Sequence, residues 1–193
     1  RADRADSAET PSEVTGRPPV AHIVLHPLPP KEQRALVDGL EAVVPGGLAE
    51  AVRERVAARS GGNPYYAEEL VRMLRDGSGA LDELPPTLAG LLQARIDGLP
   101  GGERGALHRA SVVGRVFWDE AVAELAAGDV GAPSTGRDLD ALEGRSLVAA
   151  RPRSAFAGAR EYAFAHALLR DAAYGNLLLT DRRALHARVA TWL

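Results

Sequence analysis

Cysteine is absent from this 193-residue sequence, which removes disulfides, thiolate-bound zinc, iron–sulfur clusters and cysteine nucleophiles together and suits a reducing compartment. Lysine is nearly absent, Lys31 being the only one. Any P-loop, Schiff-base or kinase-type chemistry would have to use it, and its context, LPPKEQR, is not GxxxxGK[ST]. Long apolar runs are missing too. None approaches the ~18 residues of a membrane span, and the opening RADRADSAETPSE has no apolar signal-peptide segment, so a cytoplasmic protein without membrane contact is expected. A strong charge of one sign is the last absence. The net charge is −3, with residues 1–99 carrying 11 basic against 15 acidic residues and residues 100–193 carrying 12 against 11. Neither half binds polyanions by bulk charge.

What is present is ordinary globular material, 46% hydrophobic and 25% charged, enough for one large domain or two small ones. Residues 1–19 are the exception. They are rich in Arg, Asp, Ala, Ser, Thr and Pro without apolar period, and a flexible tail is expected there. VAHIVLHPL, residues 20–28, has the β-branched content and alternation of a short strand, stopped by Pro27, Pro29 and Pro30. One strand cannot satisfy its own backbone, so residues 20–29 are expected to be the terminal strand of a sheet whose remainder lies outside this chain, and the chain is expected to be a fragment.

From Pro30 the period turns helical, with Leu36, Val37 and Leu40 on one face before the Pro45-Gly46-Gly47 break. A second helix carries Leu48, Val52 and Val56 and stops at Ser60-Gly61-Gly62. Asn63 as N-cap and Pro64 at the first helical position open a third, YYAEELVRMLRDG. A fourth, Thr87 to Leu99, sets Leu88, Leu91, Leu92, Arg95, Ile96 and Leu99 at spacings of three and four. Residues 30–99 thus read as a small helical bundle. Residues 100–179 begin with a helix carrying Leu107, Ala110 and Val113 inward, and Phe117-Trp118 then leads to a second helix capped by Asp119. A third helix, STGRDLDALEGRS, precedes two strand-like segments, SLVAARP and EYAFAH, around a glycine-containing turn. Three helices followed by a β-hairpin is the order of a winged helix. HALLRDAAYGNLL and TDRRALHARVATWL are amphipathic helices, the second capped by Thr180, and residues 180–193 read as the start of a helical linker or repeat region. The fold class expected is mainly α, a small helical bundle followed by a winged-helix domain with a β-hairpin and trailing helices.

Gly62, Asn63 and Pro64 form the first candidate site. The proline fixes φ and opens a helix whose free N–H groups favour a phosphate or a purine edge nearby; the plainer reading is a good helix start. His22 and His26 would share a strand face, but without Asp, Glu or Cys beside them they are too few for zinc, and no metal site is expected. Glu68-Glu69 reads as a solvated face, since adjacent helix positions diverge by about 100°. Tyr65-Tyr66 and Phe117-Trp118 read as core and interface anchors, and His108 and His186 belong to no acid–base constellation. In the would-be recognition helix, Thr135 to Arg145, Arg137 and Arg145 face Asp138, Asp140 and Glu143, a balance that repels DNA. Arg151, Arg153 and Arg160 of the wing argue the other way.

GGNPYYAEELVRML, LPPTLAGLLQARIDGLPGGERGALHRASVVGRVFW, LEGRSLVAARP, EYAFAHALLRDAAYGNLL and RRALHARVATWL, in that order, together resemble the region downstream of the AAA-like core in STAND-class signal-transduction ATPases. The nearest kind is the bacterial one fused to LuxR-type DNA-binding or nucleotide cyclase domains and to tetratricopeptide repeats. The resemblance covers about residues 20–193. It implies a terminal core strand over 20–29, a helical lid over 30–99, a winged helix over 100–179 and the beginning of a superhelical sensor over 180–193. It implies a nucleotide switch in signal transduction or transcription regulation, in which lid and winged helix close over ADP on a P-loop core and swing apart with ATP. The implied partners are that core and the downstream helical repeats of the same parent chain, with self-assembly in the ATP state and no nucleic acid bound through this part. The implied cofactor is ATP or ADP in the intact parent, with none held tightly by this chain alone.

Gly62, Asn63 and Pro64 match the family's Gly-x-Pro lid motif, whose proline resembles an adenine-side contact. His166 in YAFAHALLRD is similar in place to the winged-helix histidine of a Met-His-Asp-like element, which the resemblance makes the sensor of the ADP phosphate; an imidazole there can donate to an oxyanion. Its flanks here are Ala165 and Ala167, so the family's acid is missing and a capping histidine is the competing reading. Neither a Walker A loop nor an apolar run ending in Asp-Asp or Asp-Glu occurs, so no catalytic residue is assigned and this chain is not expected to be an enzyme. Two other functions stand as alternatives: a DNA-binding winged-helix regulator and a structural helical adaptor.

Overall fold

Leu and Val at spacings of three and four build four helices, α1 (Pro30–Glu41), α2 (Glu50–Ser60), α3 (Pro64–Arg75) and α4 (Leu88–Asp97). The computed structural model describes residues 24–41, 44–77, 80–127 and 135–192, and the expected tail lies outside them. Val37, Val56, Leu70, Val71, Leu81, Leu84 and Leu91 form the first core, each large side chain contributing roughly 1.5–3 kcal/mol by leaving water. The connection before α4 is tied down by Arg59, whose guanidinium donates to the carbonyls of Leu81, Leu84 and Pro85. Thr87 caps α4 by accepting the Gly90 N–H at 3.1 Å.

The second unit follows the order α5 (Gly101–Val113), β1 (Val116–Trp118), α6 (Asp119–Ala126), α7 (Thr135–Gly144), β2 (Val148–Ala150) and β3 (Glu161–Phe164). Its sheet is antiparallel, in the order β1-β3-β2, with Phe117 opposite Tyr162 and Ala149 opposite Ala163. The expected hairpin is β2–β3, and the winged-helix order holds. What the spacing did not anticipate is β1. Its three residues become a strand because β3 offers them a partner edge more than 40 residues later in the chain. Phe117 then stacks on Tyr162 at 5.8 Å and meets Phe164 edge-on at 5.4 Å, over a core of Leu107, Val122, Leu139, Leu142, Leu147 and Leu169.

The two cores share one helix. Leu91 and Leu92 are neighbours in α4, about 100° apart around its axis; Leu91 belongs to the first core, while Leu92, Ile96 and Leu99 belong to the second. Beyond β3 come α8 (Ala167–Gly175) and α9 (Leu179–Trp192). Val189 of α9 joins Val112 and Leu125, and Arg188 closes the end of α6 by donating to the Leu125 carbonyl at 3.0 Å and the Ala127 carbonyl at 3.1 Å. No helix of the described residues is long and apolar enough to cross a membrane.

Of the strand expected over 20–28, residues 20–23 lie outside the described residues, and 24–28 pair with no strand among the described residues. Two local expectations need correction. Asp119 is the first helical residue of α6 rather than its cap. It is instead drawn to the wing, where its carboxylate accepts from the Arg160 backbone at 2.9 Å and from the Arg160 guanidinium at 3.1 Å. Thr180 likewise sits inside α9, which starts one residue earlier at Leu179.

Candidate functional site

The turn between α2 and α3 needs two positive φ angles in succession, 57° at Gly61 and 81° at Gly62, which glycine adopts without strain. Asn63 then caps α3, its side chain accepting the Tyr66 N–H at 3.2 Å, and Pro64 occupies the first helical position. The segment before α1 lies directly on this turn. The Leu28 N–H donates to the Gly62 carbonyl at 2.8 Å, and the Gln33 amide donates to the Leu28 carbonyl at 2.6 Å. A Cβ on Gly62 would stand 2.7 Å from both the Leu28 carbonyl oxygen and the Pro27 Cβ. Gly62→Ala is therefore expected to cost on the order of 2–3 kcal/mol, from the left-handed backbone and the overpacked contact together; a urea unfolding curve within about 0.5 kcal/mol of the native one would contradict this packing. Between Leu25–Pro27 and Gly61–Pro64 runs an open cleft of about 330 Å³.

His166 is the N-cap of α8. Its Nδ1 accepts the Leu168 N–H at 3.2 Å, and its ring stacks on Tyr65, centroids 3.8 Å apart and planes 8° from parallel. Tyr65 is the residue after Pro64, so one aromatic contact joins the first turns of α3 and α8. The structure thus brings the Gly62–Pro64 turn and His166 to the same end of the molecule, and each of the four is also a competent structural element. His166 does cap a helix, as its competing reading holds. Both helix starts carry the partial positive charge of unpaired N–H groups.

Tyr65 and Tyr66 face different ways. Tyr66 enters the first core and Tyr65 packs against the second. The Tyr65 hydroxyl is buried without a hydrogen-bond partner among the described residues. Burial, reinforced by the Glu69 carboxylate, pushes it well above the ordinary phenol range, so it stays protonated. Nothing in the sequence signals the contact with His166, which lies about 100 residues away.

Glu69 overturns the solvated reading of Glu68-Glu69. It is 1% exposed and ion-paired to Arg95 of α4, itself 10% exposed, with Arg72 at 3.9 Å. The helix face that carries it turns toward α4, and Arg95 supplies the compensating charge that burial requires. Arg95 also donates to the Arg145 carbonyl, and Arg72 donates to the Ser146 carbonyl at 3.2 Å. Arg145 in turn pairs with Glu103 of α5 at 2.7 Å. One polar network therefore fastens α3 and α4 to the turn that leads into β2.

Burial, then the nearby Arg104 and Arg109, push His108 below the ordinary histidine range; His186 is 2.9 Å from the Tyr174 hydroxyl. His22 lies outside the described residues, and His26 lines the cleft. On the wing, Arg160 pairs with Asp119 at 3.1 Å and Asp140 at 2.9 Å, while Arg151 pairs with the buried Glu161 at 2.9 Å.

No protein-family model matches the chain, and no curated protein matches it.

Proposed function

We propose that the chain is the lid and winged-helix part of a cytoplasmic STAND-type ATP/ADP switch, residues 30–99 being the lid and 100–179 the winged helix, which close as a cover over nucleotide held by a P-loop core of the same parent. The observation that carries this reading is the stack of Tyr65 on His166, which ties the helix opened by the Gly62–Pro64 turn to the histidine that caps α8. The cleft beside Pro64 is lined by Gly61, Gly62 and Asn63, and His166 is a donor next to a positive helix start. These residues fit the base side and one phosphate oxygen of a nucleotide. When bound, a nucleotide would supply the difference in charge between its diphosphate and triphosphate forms; the chain's own residues orient the base against Pro64 and donate one hydrogen bond from His166.

In the intact parent, His166→Ala is expected to remove about 1.5–3 kcal/mol of ADP binding, the range for a bond to a charged group, and to shift the population toward the open, signalling state. Pro64→Ala is expected to weaken ADP and ATP about equally, because the base side is common to both. Titration calorimetry with each nucleotide tests the pair. ADP affinity unchanged in folded His166→Ala would return the histidine to helix capping alone.

Of the three wing arginines that favour the DNA-binding alternative, Arg153 is exposed and the other two are paired. Arg151 and Arg160 are committed to carboxylates of their own chain, and the exposed face of α7 presents Asp140 and Glu143 beside Arg137. Duplex DNA is expected to bind at about 1 μM or more weakly at physiological salt, without sequence preference. Fluorescence anisotropy decides it, and tight selective binding would favour the transcription-factor reading.

A further inference from the structure

We infer that Tyr65 is a positioning residue for His166: the stack across the start of α3 and the start of α8 fixes the imidazole plane so that its Nε2–H is a preset donor. The inference deepens the nucleotide reading above and rests on it for the identity of the acceptor, a phosphate oxygen, but the positioning itself rests on geometry alone.

Nδ1 of His166 accepts the Leu168 N–H at 3.2 Å, so Nδ1 must carry its lone pair, and the neutral ring must hold its proton on Nε2. A cap bond by itself fixes one atom and leaves the ring free to swing about it. The second constraint is Tyr65, whose ring lies 3.8 Å from the imidazole and within 8° of parallel. With one nitrogen tied to the helix and one face covered, the direction of Nε2–H is determined before any ligand arrives. That is what preorganisation means for a donor, since the ordering has already been done in folding.

The Tyr65 hydroxyl takes no part. It is buried without a partner among the described residues, so the ring alone makes the contact, and phenylalanine should replace it. The position of Tyr65 is itself held firmly. Pro64 precedes it at the first helical position, Asn63 caps the turn through the Tyr66 N–H, and the Tyr65 ring packs on the second core. A lid helix thereby sets the angle of a side chain that belongs to the winged helix.

The test uses the 193-residue chain labelled with ¹⁵N. Long-range ¹H–¹⁵N spectra are taken at pH 8, about 1.5 units above the ordinary imidazole value. The native protein should show His166 with Nε2 protonated over Nδ1 by about fivefold or more, the bias of a cap bond, and with ring protons displaced upfield by the tyrosine face. Tyr65→Leu should abolish the upfield displacement and broaden the ring signals while the cap keeps the proton on Nε2, and Tyr65→Phe should restore both displacement and sharpness. Native-like His166 signals in folded Tyr65→Leu would overturn the inference, as would loss of the signature in folded Tyr65→Phe. If Tyr65→Leu does not fold, the native spectrum and Tyr65→Phe still decide, because a His166 without upfield displacement in the native chain also overturns it.

A further measurement separates this inference from the nucleotide reading. In the intact parent, Tyr65→Leu should lower ADP affinity by part of the loss seen in His166→Ala, and the double variant should lose no more than His166→Ala alone. Correct spectra together with ADP affinity indifferent to His166 would retain the positioning and remove the nucleotide as its purpose. Additive losses in the double variant would mean that Tyr65 acts independently of His166, against the inference.

Discussion

Glu69→Ala is expected to lower the unfolding free energy by about 3–5 kcal/mol, the range for stranding one partner of a buried ion pair. The carboxylate is 1% exposed and its partner Arg95 10% exposed, so the arginine left behind keeps its charge in a place where water cannot reach it well. Arg95 cannot simply turn outward, because its guanidinium also holds the Arg145 carbonyl. Replacing both partners by apolar residues, Glu69→Leu with Arg95→Met, should recover most of the loss, since desolvating the pair was itself costly. Urea unfolding of the two single variants and the double variant measures the coupling. A loss below about 1 kcal/mol in Glu69→Ala would mean that the pair is solvated, as the sequence alone had suggested.

Phe117→Ala should be comparably severe, about 3–5 kcal/mol. The ring is fully buried at the one point where β1, β3 and the helices of the second core meet, against Tyr162 and Phe164. A sheet edge of three residues has little else to hold it. Loss of the ring should loosen β1 and with it the neighbouring Trp118, which donates to Glu161 at 3.1 Å and meets Phe156 and Trp192. Because Trp118 and Trp192 are the only tryptophans, their emission reports the change directly. An unshifted emission maximum and an unchanged unfolding midpoint would show that β1 does not depend on Phe117.

What the sequence made legible was local. Asn63 capping α3 with Pro64 behind it and the leucine spacing of α4 follow from interactions a few residues long, the β2–β3 hairpin from pairs 12 to 16 residues apart, and all stand in the structure. What escaped was set by partners distant in the chain. Val116–Trp118 looks like a loop until β3 supplies its hydrogen bonds. Glu69 looks solvated because Arg95, 26 residues on, is invisible from its own helix. Asp119 has the residue type and position of a cap, yet Arg160 of the wing claims its carboxylate. The candidate site was half legible in the same sense: Gly62–Pro64 and His166 could be singled out one by one, while the ring that joins them could not.

The shared helix α4 sets a limit on how this chain can vary. Leu91 feeds one core and Leu92 the other, so the helix works as a splined shaft whose teeth engage two gears at once. Inserting or deleting one residue at its start would rotate everything downstream by about 100°, presenting Leu92 where Leu91 belongs and swinging Arg95 away from Glu69. Lengthening the turn around Ala157–Gly158, by contrast, leaves both cores in register so long as Phe156 keeps its place against Trp118 and Trp192. Length variation among natural versions of this chain should therefore gather in the wing and leave α4 at a fixed register, even where its individual residues change.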